Sequence, residues 1–472
     1  MYNSVDEIRS RYEPNEIVDL EKRVDCYTWC YPIDLAEFDV STIWDKNFDI
    51  KYLPQNLTLY FHIPFCKFIC NMCPFTHEVA RQDEISEYAE ALLREIDIYS
   101  KHSILKKTQV TSIYFGGGTA SLLPSKYISL ILYKVYREFN VSQNCQITVE
   151  CHPKTVDKSY LSEIKEAGVN RVSFGLQSFN QQMLDSLSLH QDADSNIAVV
   201  NLAHKIGFDT IAADLMYNFP QEKIHDLEAD IKMATSLGIH NLSLYAIDPA
   251  VRDLTIKQNA IEYEKDMFYK IYSILTTKGY IQVAQPDYSL PSHENKQILD
   301  LWGAPQALNL GFGAGAFSEN FNGFTWANIH DPKEYIRCLN NNQIPILMGK
   351  KWSKDEEISR FAALGVRCLR LDLNKFNELF DVDFNGIFKY EIELLKYYGY
   401  IEIDNGYLTV SKKGKFYIDN ISKMFFSFNN RGKTQLWGCK LRKVKPSKYT
   451  TINEVKRSFL YNTNIEDSKK GG

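Results

Sequence analysis

The stretch Leu59-Tyr60-Phe61-His62-Ile63-Pro64-Phe65-Cys66-Lys67-Phe68-Ile69-Cys70-Asn71-Met72-Cys73-Pro74-Phe75 decides how this 472-residue chain is read. An alternating run from Leu57 to Ile63 predicts a strand that stops at Pro64, and three cysteines at Cys-x3-Cys-x2-Cys follow it directly. Structural zinc sites usually take four protein ligands, so three thiolates on one short loop suit an iron–sulfur cluster better. A cubane of four irons held by Cys66, Cys70 and Cys73 keeps one iron free of protein, open to a small chelating cofactor.

Working outward, the composition is that of an ordinary water-soluble protein, with 44% hydrophobic and 24% charged residues. The length predicts about two or three domains of ~150 residues. A net charge of -5 carries no basic excess of the kind nucleic acid demands, and no nucleic-acid partner is expected. Asp6, Glu7, Arg9, Arg11 and Glu13 stand where a signal peptide needs an apolar run. No apolar stretch approaches the ~20 residues of a membrane span, so a cytoplasmic protein is expected. Ten cysteines are too sparse for a disulfide scaffold, and those outside the cluster read as buried thiols.

From residue 57 short apolar runs alternate with helical patterns, the signal for βα units on a parallel sheet. Strands are predicted at 57–63, 111–115, 146–150, 170–174, 210–215 and 241–246, with helices such as 84–100, 125–139, 158–167 and 196–206 between them. Six such units imply a partial (β/α)6 barrel, whose chemistry sits at the C-terminal strand ends. Gly116-Gly117-Gly118-Thr119 follows the second strand, where glycines allow φ > 0 and close approach to a ligand, and free amides can meet its carboxylate. The Gly-Lys-Ser/Thr ending of a phosphate loop is missing. Glu150, Gln177, Asp214 and Ala246 fall at the later strand ends.

The cysteine spacing resembles the signature of radical S-adenosylmethionine (SAM) enzymes. Tyr60-x-His62-Ile63-Pro64-Phe65-Cys66, Gly116-Gly117-Gly118-Thr119, Gly175-Leu176-Gln177-Ser178-Phe179 and Asp214-Leu215-Met216-Tyr217 narrow the likeness to the oxygen-independent coproporphyrinogen III oxidase-like family. That family includes haem chaperones and class C radical SAM methyltransferases. The resemblance implies a 4Fe-4S cluster on Cys66, Cys70 and Cys73, with SAM on its open iron. It places Tyr60, Gly117, Glu150 and Phe317 around that SAM, the last in Gly311-Phe312-Gly313-Ala314-Gly315-Ala316-Phe317. Met72, Gly118, Thr119, Gln177, Asp214 and Ala246 correspond to positions around a second SAM. A reductant such as flavodoxin or ferredoxin is implied as well.

The chain then divides into an N-terminal wrap (1–55), a radical SAM core (56–320), a connection (321–354), a smaller C-terminal α+β domain of winged-helix-like pattern (355–426) and a basic extension (427–472). Tyr27-Thr28-Trp29-Cys30-Tyr31-Pro32, in the wrap, reads either as aromatic packing or as lining of the substrate opening. The extension carries eleven Lys or Arg against three acidic residues, a solvated end or a docking strip for an acidic partner. In this family the C-terminal domain covers the substrate cavity rather than binding DNA.

Three departures from the family pattern bear on function. Pro74 and Phe75 stand where the oxidase has a further cysteine, Met72 replaces an aromatic, and Leu189 replaces an arginine. An arginine pairs with a carboxylate at about 1.5–3 kcal/mol, a contact leucine cannot make and the neighbouring His190 makes without the fork geometry. The expectation is a radical SAM enzyme that cleaves SAM to a deoxyadenosyl radical, with methyl or related one-carbon transfer favoured over porphyrinogen decarboxylation. That preference rests on the missing cysteine and on analogy, while Leu189 counts against both the oxidase reading and a second bound SAM. A non-enzymatic haem chaperone is the rival. The substrate is a small molecule or peptide, and no catalytic residue is assigned.

Overall fold

A computed structural model describes residues 20, 30–44, 54–68, 70, 73, 78–79, 81–102, 105, 107–247, 261–321, 323–431 and 445–451 of the protein. Met72, Phe75 and Trp29 lie outside the described residues.

Six parallel strands follow one another in chain order: β1 (Asn56–Ile63), β2 (Gln109–Gly117), β3 (Val141–Cys151), β4 (Arg171–Gln177), β5 (Thr210–Tyr217) and β6 (Asn241–Ala246). Crossover helices Gln82–Tyr99, Ser125–Glu138, Lys158–Glu166, Ala193–Ile206 and Ile224–Ser236 join them, as the alternating text predicts. The strands turn apolar side chains to the helices, and β5 adds Ala212 and Met216 on its other face. Leu57, Leu59, Phe61 and Ile63 of β1, with Ile147 and Val149 of β3 and Val172, Phe174 and Leu176 of β4, pack under the helices in one large core. The alternate positions, Thr58, Tyr60, His62, Thr148, Glu150 and Arg171, are polar and buried or half-buried on the opposite face, because side chains in a strand alternate with period 2. That polar face is the interior of the barrel.

Helix boundaries follow local chemistry. Asp192 accepts from the Ser195 amide at 2.7 Å to start the helix Ala193–Ile206, and Gly207 at φ 87° ends it. β3 begins five residues before its apolar run, since pairing of Val141 with Val110 draws in polar Ser142, Gln143 and Asn144.

The sheet runs on beyond six strands. After the helix Ile261–Thr277 come β7 (Ile281–Gln282) and β8 (Asp287–Ser289), with β8 antiparallel beside β6 and β7 antiparallel beside β8. On the other edge β9 (Leu308–Phe312) pairs parallel with β1. β10 (Phe317–Phe321), β11 (Phe324–Asn328) and β12 (Ile346–Lys351) then continue it antiparallel. The helix Pro332–Asn340 lies between β11 and β12. The full order is β12-β11-β10-β9-β1-β2-β3-β4-β5-β6-β8-β7.

The C-terminal domain packs a second apolar core, shared with Tyr31, Ile33, Phe268 and Trp302, under the helix Lys354–Gly365 and a three-stranded antiparallel sheet, β13 (Arg370–Asp372), β14 (Ile401–Asp404) and β15 (Tyr407–Val410), in the order β13-β15-β14. Asn405 and Gly406, at φ 48° and 78°, make the tight hairpin turn between β14 and β15. Buried polar contacts fasten this domain to the barrel: Arg360 pairs with Glu319 at 3.1 Å and donates to the Tyr31 carbonyl at 2.6 Å. Tyr31 in turn donates to Ser427 Oγ at 2.7 Å. The described part of the basic extension returns to the body, where Tyr449 bonds Glu334 and the Ile344 amide donates to the Thr450 carbonyl at 2.9 Å. No helix among the described residues is long and apolar enough to cross a membrane.

Candidate active site at the barrel mouth

The cysteine loop leaves the sheet at the end of β1 and is closed at its base. The Cys66 amide donates to the Glu78 carbonyl at 2.8 Å and the Glu78 amide to the Pro64 carbonyl at 2.7 Å. Within it the Cys73 amide reaches the Cys70 carbonyl at 3.2 Å. The turn after β2 seizes the same segment: Gly118 donates to the Ile63 carbonyl and Thr119 to the Phe65 carbonyl, both at 2.8 Å. The Thr119 hydroxyl stands 3.5 Å from Cys66 Sγ. A Cβ on Gly118 would lie 2.7 Å from the Phe65 carbonyl and 2.9 Å from Cys66 Sγ, so glycine is required there by space. Burial pushes the Cys66 thiol up to about 11, the Thr119 hydroxyl draws it down, and the nearby Cys70 thiol adds to the rise.

Three cysteines share one short loop, two with their thiols close enough to interact. That donor set fits a 4Fe-4S cluster. Among the described residues no group of three His, Cys, Asp or Glu gathers to hold a single ion. A cubane spreads its thiolates wider than one ion does.

Gly117 takes φ +116°, and a Cβ on it would sit 2.9 Å from both the His62 ring and the Ile63 carbonyl. Its amide donates to Glu150 Oε2 at 3.2 Å while Tyr114 Oη donates to Glu150 Oε1 at 2.7 Å. The amides of Gly117, Gly118 and Thr119 are thus all engaged inside the protein. The reading of this turn as a cradle of free amides for a ligand carboxylate is therefore corrected. Tyr60, beside Tyr114 in register, meets His62 Nδ1 at 3.1 Å.

Deeper in the barrel, Asp214, Ser243 and Asp287 stand side by side on β5, β6 and β8. Ser243 donates to Asp287 Oδ1 at 2.8 Å. Burial, with Glu150 and Asp287 adding repulsion, lifts Asp214 to about 8. Burial lifts Asp287 to about 6 and raises Glu150 too, against the hydrogen bonds from Tyr114 and Gly117. Arg171 lowers all three, and is fixed by a 2.6 Å bond to Asn241. Sequence reasoning named Glu150 and Asp214 but missed Tyr114, Arg171, Ser243 and Asp287. Inward parity on predicted strands was the available signal for Tyr114, Arg171 and Ser243, whereas Asp287 lies on β8, outside the six predicted strands.

Gln177 ends β4 at φ +64° and Ala246 ends β6 opposite Tyr217, both at the mouth. Phe317 opens β10 with its ring edge-on to His330 at 6.3 Å. Between β4 and β6 the mouth is apolar. Leu189, 5% exposed, packs with Met183, Leu184, Leu187, Phe219 and Ile247, against which Cys70 and Met216 lie. His190 instead turns outward and lies 4.7 Å from the Phe68 ring.

Residues 60–234 match the radical SAM superfamily and residues 352–417 the HemN C-terminal domain. The chain is 28% identical to the heme chaperone HemW of Bacillus subtilis (strain 168), over 75% of this chain and 95% of that protein. It is 25% identical to the oxygen-independent coproporphyrinogen III oxidase of Salmonella typhimurium (strain LT2), over 80% and 87%. The solved structure of coproporphyrinogen III oxidase (HemN) from Escherichia coli superimposes with a TM-score of 0.73 at 23% identity, covering 86% of this chain and all of that one. The favoured expectation of methyl transfer gains no support, since these relatives are oxidases and haem chaperones. With a parallel sheet, a cysteine loop at the end of its first strand and a second domain of matching type, the chain resembles the radical SAM superfamily over residues 60–234 and oxygen-independent coproporphyrinogen III oxidase over most of its length.

Proposed function

We propose that this enzyme cleaves one SAM per turnover to oxidise an organic substrate, in the manner of the coproporphyrinogen-oxidase branch, without methyl donation from a second SAM. A cluster with SAM bound to it supplies one-electron reductive cleavage to methionine and a deoxyadenosyl radical. In this reading Cys66, Cys70 and Cys73 hold the cluster. Tyr60, Gly117, Glu150 and Phe317 orient SAM, and Glu150 is itself fixed by Tyr114 and Gly117. The substrate rests against the apolar wall between β4 and β6, and the C-terminal domain helps exclude water. A reduced flavodoxin or ferredoxin would supply the electron for SAM cleavage, and a one-electron acceptor would take the second electron from the substrate after deoxyadenosine has carried off its hydrogen atom.

One observation carries the choice: Leu189 is sealed in an apolar cluster where the family pattern has an arginine, so position 189 offers no guanidinium to a second SAM. The deciding experiment follows the fate of SAM after anaerobic reduction, with coproporphyrinogen III and other candidates as probes. Deoxyadenosine and methionine in step with oxidised product, without S-adenosylhomocysteine, are expected. S-Adenosylhomocysteine rising with a methylated product would overturn the proposal in favour of methyl transfer. The likeness to a haem chaperone supports a second reading. Haem uptake by purified protein without SAM cleavage would establish that one instead.

A further inference from the structure

We propose that Glu95 is the positioning residue for the Gly313–Phe317 wall of the SAM site, locking it to the end of β1 through Tyr88, Asn328 and Tyr335. The inference rests on the radical SAM reading, which gives the locked geometry its purpose.

Glu95 belongs to the helix Gln82–Tyr99 and is 0% exposed. Its Oε2 accepts from the Gly313 amide at 2.8 Å and from Tyr335 Oη at 2.5 Å, and its Oε1 accepts from Asn328 Nδ2 at 2.7 Å. Asn328 Nδ2 also reaches the Gly313 carbonyl at 3.0 Å, so both polar atoms of the Gly313 backbone are held. Two turns earlier on the same helix face, Tyr88 Oη donates to the His62 carbonyl and accepts from the Ala314 amide, both at 2.7 Å. Tyr88 also meets the ring of Phe65, the residue before Cys66, edge-on at 5.0 Å. One helix face thus ties β9's outgoing turn to the strand that delivers the cysteine loop.

The turn fits no other way. Gly313 has φ +104°, and a Cβ there would lie 2.5 Å from the His62 carbonyl and from Tyr88 Oη. His62 is pressed from its other side by Gly117. The spacing between the glycine turn after β2 and the Phe317 wall is therefore set through one residue, and Glu95 fixes the far half.

Among the described residues no cation pairs with Glu95; its buried carboxyl is held instead by three donors that have no other acceptor in common. Three donors converging on two oxygens yield a single defined turn.

The test compares the anaerobically reconstituted full chain with Glu95→Gln, Tyr335→Phe and Tyr88→Phe. Three quantities are read: iron per chain, SAM affinity by equilibrium dialysis, and deuterium exchange of the 311–317 backbone. Glu95→Gln is expected to keep its iron, weaken SAM about tenfold and raise exchange at 311–317 about tenfold, while exchange elsewhere in the barrel stays near wild type. Tyr335→Phe, losing one donor, is expected to move both readings about threefold to fivefold. Wild-type SAM affinity and exchange in an iron-loaded Glu95→Gln would overturn the proposal, as would exchange raised evenly across the barrel. If Glu95→Gln fails to fold, Tyr335→Phe decides by the same two readings. A wild-type chain that takes up no cluster or binds no SAM refutes the radical SAM reading, and the exchange comparison still tests the lock on its own.

Discussion

On the β1–β3 side of the mouth, hydrogen bonds reach nearly every functional group: Tyr114 and Gly117 hold Glu150, Gly118 and Thr119 hold the start of the cysteine loop, and Thr119 reaches Cys66. On the β4–β6 side, Leu189, Met183, Phe219 and Ile247 meet through apolar surface alone. Directional bonds, stronger when one partner is ionised, fix positions to fractions of an ångström. Apolar packing is non-directional and tolerates volume-conserving exchange at below about 1.5 kcal/mol. The first side suits a cofactor whose geometry cannot vary, and the second suits a substrate that differs between relatives.

The sharpest way to break this contrast is at the thiols. Cys66→Ala, Cys70→Ala and Cys73→Ala should each abolish the four irons and four sulfides taken up on anaerobic reconstitution, with the apolar side unaffected. A full iron complement in any of the three would remove that cysteine from the ligand set.

Next in size is Leu189→Arg. A guanidinium placed among Met183, Leu184, Phe219 and Ile247 would be buried in an apolar cluster. The expected cost is about 3–5 kcal/mol, seen as a fall in the urea midpoint, whereas Leu189→Met should stay within about 1.5 kcal/mol. An unchanged midpoint with arginine would mean that the position opens to water or to an anion, and the contrast between the two sides would dissolve.

Gly117→Val probes the polar side. Its φ of +116° and the 2.9 Å approach to His62 imply strain of about 1–3 kcal/mol. Iron should be retained while SAM binding weakens about tenfold, as measured by dialysis. Undiminished SAM affinity would detach the glycine turn from the cofactor site.

The smallest effect is a slope. The folded protein keeps Asp214 protonated up to about pH 8, whereas the ordinary value is 3.8. Folding therefore binds a proton between those values, and stability falls as pH rises through that window before levelling above it. Asp214→Asn should flatten the dependence of the urea midpoint between about pH 5 and about pH 8, with the variant gaining most at the upper end. A slope equal to wild type would mean that Arg171 keeps Asp214 ionised throughout.

Much of this was legible before any coordinates. The strand Leu57–Ile63 and the helices at 84–100 and 125–139 were read within two residues of their observed ends, because period and punctuation are local. Where pairing rather than pattern sets the limit, as at Val141, the reading fell short. Glu150 and Asp214 stood out as carboxylates at predicted strand ends, although β5 runs on to Tyr217 and sets Asp214 inside the barrel. Tyr114 and Ser243 did not, since one strand's inward parity does not say which side chain on another strand it will face.

The sequence by itself determined the superfamily, the cysteine loop and the order of the βα units, since each depends on residues close together in the chain. The tertiary structure alone decided three things. Leu189 was an unanswered absence of arginine in the sequence, and packing with Phe219 and Ile247 made it part of an apolar wall. Asp287 was an unremarked acid until β8 set it beside Ser243. Glu95 was one of many helix charges until folding brought it to Gly313 and Asn328, more than two hundred residues away. A contact of that separation leaves no local trace, because it exists only after the sheet has closed the intervening chain into place.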